Sequence, residues 1–132
     1  MLNLEIVIPE KKVLTETVDV VTVPTANGEV GILQNHAPLI SALKPGILSY
    51  SKAGATERMV IAGGFLEVSA DNVSVLADTA ERADEIDVEA AKAERESVER
   101  ELSAWKGSEE ELETEKERLE KAQARLLLAS GR

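Results

Sequence analysis

Thr25–Gly46, TANGEVGILQNHAPLISALKPG, decides how the rest of the chain is read. Asn27-Gly28 suits a tight turn, and Gly31 closes a bracket around Glu29-Val30. Pro38 and Pro45 then enclose an apolar run, Leu39-Ile40-Ser41-Ala42-Leu43. Glycines and prolines at fixed points restrict the backbone, so this stretch predicts a structured loop between strands, not a free linker.

Outward from that loop, the first two thirds of the chain have the period of strands. Leu2, Leu4, Ile6 and Ile8 alternate with Asn3, Glu5 and Val7 and stop at Pro9. Val13–Val23 is too densely apolar for one clean face, which predicts a long strand with a bulge or bend. After the loop, short β-rich runs follow at Ile47–Lys52, Glu57–Ala62, Phe65–Ser69 and Val73–Ala77. Turn residues at Ala53-Gly54, Gly63-Gly64 and Asp71-Asn72 divide them. Gly63-Gly64 is expected to form a hairpin turn or bulge, because Phe65-Leu66-Glu67-Val68 continues as strand and no helix follows to bind a phosphate. The pattern predicts a sandwich or barrel over residues 1–84.

At Asp87 the period changes. Val88, Ala91, Arg95, Val98, Leu102 and Trp105 recur at steps of three and four, as do Leu112, Glu115, Leu119, Ala122, Leu126 and Ala129. Asp87 is a plausible N-cap, Gly107 a left-handed C′ residue, and Ser108 with Glu111 a capping box. Residues 85–132 are therefore expected to form an antiparallel two-helix hairpin. Its seam is broken by Arg95 and Glu115 and filled partly by alanine, so it should be held loosely, with surface pairs such as Glu96–Arg100 and Glu117–Lys121. Arg118, Lys121 and Arg125 share one side of the last helix. They either complement the helix dipole or offer a contact to an acidic surface.

Charge and composition restrict the function. The formal net charge is −10, which argues against nucleic acid and against direct docking on anionic lipid. Acidic and basic side chains number 9 and 5 in residues 1–80 but 16 and 10 in residues 81–132, marking a boundary near Ala80–Asp87. No cysteine is present, so disulfide and thiolate chemistry are excluded. His36 is the only histidine and lacks companions for a metal site or a catalytic triad, so loop bracing or an interface contact is expected of it. No phosphate-binding loop of the GxxxxGK[ST] type occurs, and no metal or cofactor is expected. The N-terminus MLNLEIVIPEKK lacks the features of a signal or transit peptide, which points to a cytoplasmic protein.

The string PTANGEVGILQNHAPLISALKPG from Pro24 closely resembles the epsilon subunit of the F-type proton-translocating ATP synthase, and the resemblance covers the whole chain. It implies a flattened N-terminal β-sandwich followed by a helical hairpin, and a subunit with no catalytic activity. The sandwich would bind the gamma subunit and the ring of c subunits, turning with them. Gly28-Glu29-Val30-Gly31 would meet the c-ring, with Glu29 as the contact, and His36 would lie toward gamma. The hairpin would either fold on the sandwich or extend along gamma and inhibit ATP hydrolysis, with Arg118, Lys121 and Arg125 meeting an acidic stretch of a beta subunit.

Some bacterial members bind ATP through I/L-D-x-x-R-A and arginines of the last helix. Here the matching stretch is Ile86-Asp87-Val88-Glu89-Ala90-Ala91, with Ala90 in place of the motif arginine. Arg125 matches and Lys121 replaces a second arginine, so weak or absent ATP binding is implied. The implied location is the cytoplasmic face of a bacterial plasma membrane, or else a thylakoid membrane. Two other classes stay open on the residues alone: a stand-alone adaptor, and a carboxylate-dependent hydrolase for which no acid–base constellation is assembled.

Overall fold

The computed structural model describes residues 1–130. Eight strands come first: β1 (Leu2–Ile8), β2 (Lys11–Val18), β3 (Val20–Thr25), β4 (Gly28–Ile32), β5 (Leu39–Ala42), β6 (Gly46–Lys52), β7 (Ala55–Ser69) and β8 (Asn72–Arg82). A short 3-10 turn, Ala83–Glu85, leads to α1 (Val88–Ser103) and α2 (Glu109–Ser130). The expected order of a β-sandwich followed by two helices is the order found. No helix among the described residues is long and apolar enough to cross a membrane.

The strands form one sheet in the order β2-β1-β8-β7-β6-β3-β4, with β5 also paired to β7. β1 and β8 run parallel, and the other pairs are antiparallel. The sheet closes over one core, in which Leu2, Leu4 and Ile6 of β1 pack with Val21 and Val23 of β3 and Leu48 of β6. The bend expected in the valine-rich run falls at Asp19 and separates β2 from β3. Asp19 is held there by both ends: its N–H donates to the Ser51 carbonyl at 2.8 Å, and its carboxylate accepts from Ala53 N–H at 2.9 Å.

Four expectations need correction, the last of them the ion pairs of the hairpin. The stretch Thr25–Gly46 is not only loop, because it carries β4 and β5. Backbone pairing decides this: Thr25 to Val21 align with Gly28 to Ile32, and Leu39–Ala42 aligns with Val68–Phe65. Phe65–Ser69 is not a separate strand either. β7 runs through Gly63-Gly64 and its register against β8 is unshifted on both sides, Ala62 facing Thr79 and Gly64 facing Ala77. The pair makes a kink, neither a hairpin turn nor a bulge. Both glycines have positive φ, +72° and +91°, and the kink reverses which residues face inward. Met59 and Ile61 are buried before it, Leu66 and Val68 after it. An odd step from Ile61 to Leu66 requires this change of face in a strand.

The third correction concerns the helical turn. α1 ends at Ser103, and Gly107 is not left-handed. The Trp105 ring instead folds against Gly107, where any side chain would collide with it. At the other ends the Asp87 cap is present, and the box of Ser108 with Glu111 is present in its Ser108 half. Asp87 accepts from Ala90 N–H at 3.0 Å, and the Ser108 hydroxyl accepts from Glu111 N–H at 3.1 Å.

The hairpin has a second contact beyond its own seam. Ala91, Val98 and Ala122 are buried within the seam. Ala124 and Leu128 lie on another side of α2 and pack on Val60 of β7, with Ile47, Ala83 and Ile86 around them. The hairpin is therefore folded against the sheet. The expected pairs Glu96–Arg100 and Glu117–Lys121 do not form; the pairs along α1 are Glu89–Lys92 and Arg95–Glu99.

Candidate functional site

The residues singled out in the sequence occupy three separate places. Gly28-Glu29-Val30-Gly31 begins β4 just after a two-residue turn, Ala26-Asn27. The buried Thr25 organises that turn. Its hydroxyl donates to the Gly28 carbonyl at 2.6 Å and accepts from Asn27 N–H at 3.2 Å. Gly28, Glu29 and Gly31 are exposed and Val30 is half-buried, so this hairpin projects a carboxylate from a braced support.

His36 lies beyond β4, in the loop before β5. Its Nδ1 is 2.7 Å from the Ala37 carbonyl, and its N–H donates to the Leu33 carbonyl at 3.2 Å. The preceding Asn35 is left-handed and donates its N–H to the Asp71 carboxylate at 3.0 Å. The histidine thus braces its own loop.

Close to this loop the sheet carries an exposed apolar surface that alternation alone did not reveal. Ala42, Phe65, Leu76 and Val7 are successive partners across β5, β7, β8 and β1. Phe65 is 58% exposed and Leu76 49%. Ile40, two residues before Ala42, is 73% exposed. These residues point away from the core, since Leu66 and Val75 next to them are fully buried. The signal was present as an apolar residue at an outward strand position, but the reversal at the glycine kink had to be known to assign it a face.

The third place is the helical hairpin. Arg118 joins the two helices: Nε and Nη2 lie 2.7 and 2.6 Å from Glu94 Oε1 on α1, and Nη1 is 2.6 Å from Glu115 Oε2. These carboxylates, Glu115 first, raise the pKa of the guanidinium, and Arg118 in turn holds Glu115 down. Glu101 is pushed up, first by its hydrogen bond with Glu115 and then by that group's charge. Arg125 joins α2 to the sheet. Its Nη2 donates to Glu81 Oε2 at 3.3 Å, and Nε lies 2.9 Å from Oε1 without the alignment of a hydrogen bond.

Arg118, Lys121 and Arg125 line a cleft of about 270 Å³ together with Ala90, Glu94 and Ala122. The three basic residues of α2 therefore lie side by side. Of the matching motif stretch, Ala90 is the member that lines this cleft. Asp87 is engaged as a cap, and Ile86 is packed at the seam between α2 and the sheet. With Ala90 contributing no charge and two of the three cations paired to Glu94 and Glu81, the cleft offers a phosphate group little that is unpaired.

Residues 1–83 match the family described as ATP synthase, Delta/Epsilon chain, beta-sandwich domain. The ATP synthase epsilon chain of Desulforamulus reducens is 51% identical over 107 residues, 81% of this chain and 80% of that one. The ATP synthase epsilon chain of a Geobacter species is 44% identical over 128 residues, 97% of this chain and 93% of that one. Among solved structures, a chain of the Euglena gracilis mitochondrial ATP synthase, in an assembly of OSCP, F1 and c-ring, superposes with a TM-score of 0.81. It is 26% identical, and the match covers 99% of this chain and 81% of that one. A family match over the sandwich and relatives aligned along nearly the full length leave one assignment: the chain belongs to the ATP synthase epsilon chain family.

Proposed function

We propose that the chain is a non-catalytic rotor subunit in the central stalk of an F1Fo ATP synthase, where residues 1–84 couple the gamma subunit to the c-ring. Residues 85–132 restrain ATP hydrolysis. The observation that carries the coupling role is the outward apolar row of Ala42, Phe65, Leu76 and Val7, a rigid sheet surface suited to a protein partner. That surface is the gamma contact, with His36 in the adjoining loop. The β3–β4 hairpin meets the c-ring through Glu29. Membership of the family and the solved assembly containing F1 and c-ring support this arrangement.

The brake consists of α2, whose Arg118, Lys121 and Arg125 meet an acidic stretch of a beta subunit when the hairpin leaves the sheet. The subunit works at the cytoplasmic face of a bacterial plasma membrane, peripheral to it and held through its partners. The test is ATP hydrolysis by a purified alpha-beta-gamma core with the native chain and with Arg118→Ala/Arg125→Ala. Suppression by the native chain alone supports the brake. Retention of gamma binding with no suppression by either chain leaves the coupling role and removes the brake.

A further inference from the structure

Two of the three basic residues assigned to the beta-subunit contact are already neutralised in the folded hairpin. Arg118 is gripped by Glu94 and Glu115, and Arg125 by Glu81. The Arg125–Glu81 pair is three-quarters or more withdrawn from solvent, with side-chain exposures of 17% and 25%. Glu94 belongs to α1 and Glu81 to β8, so each arginine faces a carboxylate from outside its own helix.

We infer that Glu81 and Glu94 are internal stand-ins for the acidic partner surface and mask the brake while the hairpin is folded. This rests on the proposed contact between α2 and a beta subunit. A guanidinium already neutralised by a carboxylate gains less from a second acidic surface, so the internal and external acids compete for the charge of the same arginines. The masking does not come from apolar packing alone. Ala124 and Leu128 hold α2 on Val60 and Ile47; Arg125 adds an ionic link to β8 through Glu81, and Arg118 one across the hairpin to Glu94 on α1, both of which an acidic partner surface can replace. Lys44 and Glu120 make a third, weaker link at 4.0 Å. A partner that binds the open hairpin must overcome the fraction held closed, so weakening the internal acids raises the effective affinity of the brake.

The test uses full-length chains and the same alpha-beta-gamma core. Glu81→Gln/Glu94→Gln keeps side-chain size and removes both charges. Hairpin position is followed separately by cysteines placed at Lys44 and Glu120 and a short bis-maleimide cross-linker; the native chain contributes no cysteine. The expected result is less cross-linking in the Gln variant, and a half-inhibiting concentration lower by roughly tenfold. Loss of cross-linking with unchanged or weaker inhibition overturns the masking, provided Arg118→Ala/Arg125→Ala abolishes inhibition. Unchanged cross-linking with unchanged inhibition overturns it as well, because the carboxylates then do not hold the hairpin. Full inhibition by the arginine variant removes the beta-subunit contact itself, and the masking with it.

Discussion

Gly64 sits directly against the backbone carbonyl of Leu76 on the neighbouring strand, at a φ of +91° that other residues rarely adopt. That contact fixes the point at which β7 turns its other face to the core. Leu76 cannot retreat without pulling on the β7–β8 ladder, so Gly64→Ala combines backbone strain with a steric collision. The expected loss is about 3 kcal/mol or more, read from urea unfolding. Gly31→Ala is the control: it has open space around it, and should stay within about 0.5 kcal/mol of the native chain.

Leu128 tests the docking of the hairpin. It is 8% exposed and packs on Val60, so Leu128→Ala removes most of the apolar contact between α2 and the sheet. A cost of about 2–3 kcal/mol is expected for this interface. It should appear as helix melting that separates from sheet melting in circular dichroism, because the sheet core contains no α2 residue. A single transition at the native midpoint would show that Ala124 and the ion pairs suffice.

The caps and periods on which the hairpin was read were local, and local signals survived. Asp87 and Ser108 cap helices because a short polar side chain can satisfy orphan N–H groups wherever a helix starts. Gly107 failed as a helix stop because α1 already ends at Ser103, and the packing of the neighbouring Trp105 ring over Gly107 cannot be read from spacing. Ala124 and Leu128 were missed for a related reason. The seam residues already accounted for one stripe of α2, and nothing in the periodicity shows that a helix is buried on two sides. The sandwich itself was legible from alternation and turn residues, while the kink at Gly63-Gly64 required knowing which carbonyl lies opposite. Among the site residues, the basic stripe was legible as neighbours on one helix side and lines one cleft; its acidic counterparts Glu81 and Glu94 lie too far away in sequence to be paired with it by spacing.

Phe65 separates the apolar surface from the stability of the sheet. Being 58% exposed, it can be changed to Asp with little effect on folding, within about 0.5 kcal/mol. A charge placed between Ala42 and Leu76 would have to be desolvated on association. Binding of Phe65→Asp to purified gamma subunit, measured by titration, should weaken by about tenfold or more. Native affinity in a folded variant would move the gamma contact elsewhere on the sandwich.

Nucleotide binding should be weak. Arg118 and Arg125 reach the cleft already paired, Ala90 supplies no donor, and Asp87 is committed to Ala90 N–H. Calorimetric titration with ATP is expected to give no saturable heat at micromolar concentrations. A saturable low-micromolar site would mean that phosphate displaces Glu81 and Glu94 from their arginines.

The pair Glu101 and Glu115 makes hairpin stability depend on pH with a predictable sign. Glu101 is raised above the ordinary 4.5 by its hydrogen bond with Glu115 and by that neighbour's charge. The folded hairpin therefore binds this proton more tightly than the unfolded chain, and its penalty is relieved as pH falls through the folded pKa toward 4.5. Glu115 is lowered below 4.5, chiefly by its hydrogen bond with Arg118. Its stabilising contribution is complete above 4.5 and is lost as pH falls through its folded pKa. The windows lie on opposite sides of 4.5, so this pair should give a maximum of helical stability near that pH, with a shallow fall toward neutrality. Glu101 is about half exposed, so the effect should be small and reduced by salt, although Glu115 is largely covered. Glu101→Gln removes the repulsion and keeps a donor for Glu115. Its helical melting midpoint should exceed the native one at pH 7 and should lose the rise between pH 7 and 4.5. Equal midpoints at pH 7, with the native rise retained, would show that another carboxylate sets the dependence.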